Sequence, residues 1–309
     1  MASDIVAVGM ACYDHIVLVP SLARVVEGCR ARRVLSQGGG VVATAAVAAS
    51  ALGARVELWA RAGADFYGRF VVDELRRFGV DTSQFVIVDG GHTAVSTVLV
   101  DEATGERRFL YFPGDGLDKG WDEPDYARIE RAKLLLTDGR WPGVCLEATR
   151  RAVARGVPVV FDPGHASAEE LEMLRLADYP VISEVALGEL SQGRSLDELA
   201  DELLGGRAKA VVVTRGARGL WLRERGRPPE ELGAFPVEVV DTTGAGDVFH
   251  GAFALAISRG WEPVRAAEFA SAAGAHACTA LGGRGAIPSM DVLERMLASP
   301  SRPVWRPAG

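Results

Sequence analysis

Short, uninterrupted apolar runs alternate with amphipathic segments along most of this chain, and few architectures accept that pattern. The runs fall at 5–8, 56–60, 134–137, 157–161, 181–182 and 210–214. They are apolar at every position rather than every second one, as in strands buried on both faces. Helical patterns occupy 41–52, 66–78, 144–155, 169–176 and 196–203, and the last third ends in helices at 247–258, 263–280 and 290–298. The alternation predicts an α/β fold, a mainly parallel sheet with helices on both faces.

Two regions interrupt the rhythm. Residues 12–36 and 92–113 carry alternating β-type segments with no helix between them, and Glu102-Ala103-Thr104-Gly105 reads as a hairpin turn. They are expected to form a small antiparallel lid on the core. With no linker, repeat or low-complexity segment visible, residues 1–309 read as one domain whose lid comes from two insertions.

The bulk properties narrow the partners. A net charge of −7 without a basic run argues against nucleic acid or an anionic membrane surface. Cys12, Cys29, Cys145 and Cys278 are scattered without a C-x-x-C pair, as expected of reduced thiols in the cytoplasm. Neither a secretory signal nor a lipid-facing span is legible, so a soluble protein is expected.

The chemistry concentrates in Asp241-Thr242-Thr243-Gly244-Ala245-Gly246-Asp247 and the apolar helix that follows. A strand is expected at 235–240, just before it. A glycine-rich turn at a helix start leaves backbone N–H groups unpaired and aligned with the helix dipole, a seat for phosphate oxygens. Asp247 stands at its mouth, where a carboxylate meets an incoming hydroxyl. Taken alone, Gly-Ala-Gly-Asp is equally a capped helix start. A dinucleotide fingerprint would need Gly or Ala where Phe249 stands, and no Walker loop occurs.

The full pattern, Asp-Thr-x-Gly-Ala-Gly-Asp followed three residues later by Gly251-Ala252, resembles the signature of the ribokinase (PfkB) family of sugar and nucleoside kinases. The resemblance implies a ribokinase-like α/β fold with a small β lid, also used for homodimerisation, and an ATP-dependent phosphotransferase. It makes Asp247 the catalytic base and Gly244, Ala245 and Gly246 the anion hole. Gly38-Gly39-Gly40 is similar to the family's N-terminal glycine motif, so Gly39, Gly40 and Asp14 are expected at the sugar, with Thr44 where most members carry Asn. The glycines equally suit close helix packing. Thr214, Gly216, Gly219 and Thr243 match ATP-binding positions. Asp241 and Thr243 match contacts to a monovalent cation, so K⁺ is admitted alongside Mg²⁺. At Ser183-Glu184-Val185-Ala186 the family's Asn-x-x-Glu is lost, leaving Glu184 as the nearby carboxylate for the metal. His250, where relatives often carry Asn, is read as a supporting residue rather than a base.

Arg140 and Trp141 follow an apolar strand at the edge where open parallel sheets bind ligands, placing a planar cation near the acceptor. Together, segments 38–49, 138–141, 239–252 and 278–284 look like sulfofructose kinases, which phosphorylate 6-deoxy-6-sulfofructose at its 1-hydroxyl. Tyr111 stands where that group has a polar Asn, and no lysine precedes Lys119. The expected function is an ATP-dependent ketose kinase. Fructokinase, ketohexokinase, ribokinase, nucleoside kinase and a non-catalytic sugar- or nucleotide-binding regulator are the alternatives.

Overall fold

In the computed structural model, which describes residues 3–25, 28–118 and 124–308, strands and helices alternate as expected. Residues 26 and 27 of the first expected insertion, and Lys119, lie outside the described residues. The chain runs through β1 (Ile5–Val8), β2 (Cys12–Val19), β3 (Arg33–Gly39), α1 (Val41–Ala51), β4 (Val56–Trp59), β5 (Arg61–Gly63), α2 (Phe66–Arg77) and β6 (Val86–Val88). It continues with β7 (Val95–Asp101), β8 (Arg107–Phe112), β9 (Leu134–Thr137), α3 (Pro142–Ala154), β10 (Val159–Phe161), α4 (Ala168–Leu176), β11 (Tyr179–Ser183), α5 (Glu184–Leu190) and α6 (Leu196–Gly205). The final part holds β12 (Ala210–Thr214), β13 (Leu220–Glu224), β14 (Glu230–Leu232), α7 (Ala245–Ser258), α8 (Pro263–Ala277), α9 (Met290–Ala298) and β15 (Trp305–Pro307).

The main sheet has the order β15-β14-β13-β12-β11-β10-β9-β1-β4. From β4 through β1, β9, β10 and β11 to β12 every pairing is parallel. Their apolar runs supply both cores at once, because successive side chains point to opposite faces. Ile5 and Ala7 of β1 pack on one side with α1, α7 and α8, while Val6 and Val8 pack on the other with α3, α4 and α6.

Three features depart from expectation. Residues 235–240 form no strand: Pro236 lacks the N–H a ladder requires, and the Val240 N–H donates instead to the Cys278 carbonyl, 2.8 Å away, in the loop after α8. The sheet is extended by antiparallel β13, β14 and β15, which the apolar pattern did not reveal. Helix α7 begins at Ala245, so Asp247 sits inside its first turn.

The two insertions form a four-stranded sheet of order β3-β2-β7-β8. The β2–β3 and β7–β8 pairs are antiparallel as expected, but β2 and β7, the strands that join the insertions, run parallel. Register puts Asp14, Ser96 and Tyr111 on one face with Ile16, Val98 and Phe109.

Helix α7 lies against α1 at a point where no side chain fits. A Cβ on Gly251 would stand 2.1 Å from the Ala45 carbonyl oxygen. Gly251→Ala must therefore push the helices apart, at a cost of about 1–3 kcal/mol. A fall in Tm of several degrees is expected on thermal unfolding, and an unchanged Tm would show that the close approach is unimportant.

Candidate active site

The parallel strands end along one edge of the sheet, and the polar side chains that follow them converge there. Asp138 comes one residue after β9 and Asp162 one residue after β10. Asp138 is held by three backbone N–H groups: Met10 at 2.9 Å, Arg140 at 2.9 Å and Val42 at 3.4 Å. It thereby ties the end of β1 to the start of α1. The N–H of Ala43 is likewise taken, by the Met10 carbonyl at 3.1 Å. The start of α1 is thus occupied by the protein itself.

The start of α7 is different. Gly244 is its N-cap residue in a left-handed conformation, φ +74°, and a Cβ there would lie 2.5 Å from the Gly283 Cα. Only glycine suits both conditions. The Ala245 N–H makes a long 3.4 Å bond to the Thr242 carbonyl. Among the described residues, the N–H groups of Gly244, Gly246 and Asp247 donate to nothing. These N–H groups, at the positive end of the helix, make an anion seat. Below it, Asp241 is fully buried and accepts from the Thr243 N–H (2.9 Å), the Thr243 hydroxyl (2.7 Å) and the Gly282 N–H (2.8 Å). His250 locks the turn from behind. Its Nδ1 lies 2.6 Å from the Gly246 carbonyl and its Nε2 3.2 Å from that of Val181 in β11, which fits a supporting residue.

Asp247 is half-buried. Burial pushes its carboxyl up to about 7, and the charges of Asp162, Asp14 and Asp138 add to the rise while His250 opposes it. Burial likewise raises Asp138, to about 6, and lifts Asp14 and Asp162 above the usual carboxylate range. Asp162, Asp14 and Asp138 thus each make Asp247 harder to ionise.

On the acceptor side, the Asp14 carboxylate packs against Gly39, where a Cβ would stand 2.1 Å from it, and accepts from Cys12 Sγ at 3.2 Å. Gly40, φ +95°, crosses the Met10–Ala11 backbone too closely for a side chain. Both glycines therefore serve close packing, whatever else they touch. Thr44 is buried, and its hydroxyl accepts from Arg284 Nε at 3.3 Å. Arg284 also bonds the Gly39 carbonyl at 3.2 Å and pairs with Glu74, closing a network beneath the acceptor side. The Arg140 guanidinium lies 5.6 Å from the Tyr111 ring centre and 5.9 Å from that of Trp141, and bonds the Pro113 carbonyl at 3.2 Å. The three residues that follow β8 and the loop beyond border a cavity of about 240 Å³ beside this stack.

The remaining expected residues sit farther along the edge. Thr214 ends β12, and Gly216 and Gly219, both at positive φ, shape the turn into β13, with Gly219 pressed against the Leu232 carbonyl. Glu184 follows β11 but does not join the carboxylate group; it is ion-paired to Arg218. Among the described residues no three His, Cys, Asp or Glu side chains converge as metal ligands. Asp138, Asp162, Arg107 and Arg284 were not singled out as site residues from the sequence. The two aspartates carried a usable signal, standing directly after apolar strands.

A raised carboxyl destabilises the fold once it ionises. Taking Asp247 at about 7 when folded and the ordinary 3.8 when unfolded, stability falls as pH rises between those values and stays low above 7. Asp247→Asn removes this penalty. The variant is expected to melt higher than the parent at pH 8, with the gap closing toward pH 4; an equal gap at both pH values would contradict the shift.

Residues 2–290 match the pfkB family of carbohydrate kinases. The chain is 28% identical over 263 residues to a ribokinase of Bacillus subtilis, covering 84% of this chain and 87% of that protein. It is 30% identical over 289 residues to a fructokinase of Vibrio alginolyticus, covering 84% and 91%. Its fold superposes on the crystal structure of a ribokinase from Thermotoga maritima with a TM-score of 0.81 and 28% identity, over 96% of this chain and all of the other. No helix among the described residues is long and apolar enough to cross a membrane.

Proposed function

The chain belongs to the pfkB family of carbohydrate kinases, and from that premise we propose a ketose kinase that uses Asp247 as its base. It is an ATP-dependent sugar kinase; the residue roles and the acceptor are our reading. The observation that carries it is a carboxylate, Asp247, standing in the same helix turn as three N–H groups that donate to none of the described residues. One sugar hydroxyl attacks the γ-phosphorus, the bond to the β,γ-bridging oxygen breaks, and ADP leaves with that oxygen. The hydroxyl proton passes to Asp247 late in the step, because a carboxylate is far too weak a base to ionise an alcohol beforehand. The N–H groups of Gly244, Gly246 and Asp247, with that of Ala245 once it turns from Thr242, hold the transferring phosphoryl group.

Asp14, with Gly39 and Gly40 beside it, is assigned to the sugar hydroxyls, and Thr44 to the wall behind them through Arg284. Thr214, Gly216, Gly219 and Thr243 are assigned to ATP. Mg²⁺ travels with the ATP phosphates rather than on protein ligands, since Glu184 is committed to Arg218. Asp241 accepts from three protein donors and keeps an acceptor site in reserve, so with Thr243 it would hold K⁺ where a monovalent cation is used. The small sheet is the lid that keeps water from the donor. With ATP as donor, the enzyme is placed in the cytoplasm.

Arg140 argues for an anionic acceptor. Held between Tyr111 and Trp141, its planar cation is preorganised for a sulfonate or phosphate at the far end of the sugar. This favours 6-deoxy-6-sulfofructose, phosphorylated at the 1-hydroxyl. The second reading is a neutral sugar, favoured by the ribokinase and fructokinase among the relatives. ADP release should be measured with ATP and Mg²⁺ over sulfofructose, fructose phosphates, fructose, ribose and adenosine. The expected result is the highest kcat/KM for an anionic ketose, at least about tenfold of which is lost in Arg140→Ala, and no turnover in Asp247→Asn. Fructose or ribose in first place would replace the anionic acceptor with the neutral one.

The outer face of the lid exposes Leu110 and Phe112 on β8 and Val34 on β3. Covering such a face suits a homodimer formed lid to lid. Sedimentation equilibrium should return a dimer for the parent and a monomer for Leu110→Asp; a monomeric parent would exclude the arrangement.

A further inference from the structure

Guanidinium groups are seldom buried unless their charge is matched, and Arg284, in the loop after α8, has a side chain only 2% exposed. Its contacts close around a single turn. The guanidinium pairs with Glu74 of α2 and donates to the Gly39 carbonyl at 3.2 Å, while Glu74 accepts the Gly38 N–H at 2.8 Å. The pair thus holds the end of β3 from both sides. A Cβ on Gly38 would stand 2.3 Å from Arg284 Nη1 and 2.4 Å from Glu74 Oε2, so the turn has no room for a side chain there.

The backbone of the same loop is fastened to the donor side. The Gly282 N–H donates to Asp241 at 2.8 Å, and Gly283 lies against Gly244 at the N-cap of α7. Gln37, with its amide turned to satisfy its neighbours, accepts from the Gly283 N–H at 2.8 Å and the Arg284 N–H at 3.3 Å. Gln37 is in turn the register partner of Asp14. One loop therefore meets the anion seat through its backbone and the acceptor turn through its cation.

Asp14 is the group beside which that cation matters. Burial raises the Asp14 carboxyl; the Cys12 hydrogen bond, the Arg284 charge and His15 lower it, and Glu74 raises it. Asp247 faces it from α7. We propose that Arg284 is a positioning residue of the acceptor side, holding Gly39 and Thr44 in place beneath the sugar and balancing the Asp14 carboxylate that receives its hydroxyls. The inference rests on the reading above that Asp14 binds the sugar. A protonated Asp14 offers fewer acceptor sites, so sugar binding weakens as pH falls through the range where Asp14 takes up its proton. Losing the Arg284 cation moves that range up, and losing the Glu74 anion moves it down.

The test titrates 6-deoxy-6-sulfofructose, fructose and ribose in turn into Asp247→Asn with ATP and Mg²⁺ present, by calorimetry across about pH 5 to 9. That background removes both turnover and the titration of Asp247, and none of the three sugars ionises in this range. Arg284→Met, Arg284→Lys, Glu74→Gln and Asp14→Asn are each added to it. Arg284→Met should move the acid limb of sugar binding up by about one pH unit, and Glu74→Gln should move it down. Arg284→Lys keeps the charge without the planar fork, so it should leave the limb in place and weaken binding about tenfold at every pH. Limbs that coincide in Arg284→Met and Glu74→Gln, or that move the same way, overturn the proposal and leave the pair a structural tie. Should Arg284→Met fail to fold with Glu74 left unmatched, the direction of the shift in Glu74→Gln, whose amide oxygen still accepts the Gly38 N–H, decides alone. Sugar binding unchanged in Asp14→Asn, or a parent enzyme that phosphorylates no sugar, would instead remove the reading beneath it.

Discussion

The site depends on the way α7 is seated. Gly251 lets the helix press on the Ala45 carbonyl, and His250 ties its first turn to the Val181 carbonyl in the middle of β11. These two contacts determine where the unpaired N–H groups and Asp247 point. Gly244 adds the left-handed turn that starts the helix beside Gly283. A rigid helix presents a charge with better aim than a loop does, and here the aim is supplied by backbone contacts that no side chain can replace.

The carboxylates explain why such rigidity is needed. Burial raises each of them, and neighbouring aspartates raise Asp247 and Asp138 further. An Asp that is partly protonated near neutral pH is a poor resting base but a good late acceptor, since its proton affinity is closer to that of the reacting oxygen. The helix dipole and the N–H seat offset part of this crowding in the empty fold, and an arriving triphosphate, negative even with its cation, needs the same positive end of α7.

How much of this was legible in the sequence divides along physical lines. The parallel sheet was readable because strands buried on two faces must be apolar throughout, as Ile5 to Val8 are. The antiparallel β13–β15 were not, because short strands toward the end of the sheet, such as Glu230–Leu232, carry a single apolar side chain. The run at 235–240 misled because hydropathy ignores the missing donor of Pro236. In the site, the glycine turn and Asp247 at a helix start were legible locally, while the roles assigned to them came from the resemblance of the longer pattern. Thr44 was placed toward the sugar, yet its hydroxyl is engaged by Arg284, some two hundred and forty residues away in sequence. Contacts at that separation leave no local trace. Asp138 and Asp162 did leave one, their position after strand ends, but it has force only once the strand directions are known.

One strand of the lid meets both ends of the cleft, Tyr111 at Arg140 and Arg107 at the Thr242 hydroxyl. Along β8, period-two alternation sends Arg108, Leu110 and Phe112 outward and Arg107, Phe109 and Tyr111 inward. A shift of one residue in the β7–β8 register would exchange the two sets, turning apolar outer residues into the cleft and both site contacts out of it. Register is therefore as much a determinant of the site as any side chain in it. It is maintained by Val98 and Val100, which pack with Ile16 and Leu281 beneath the inner row, so the core of the small sheet and the geometry over the anion seat are one constraint.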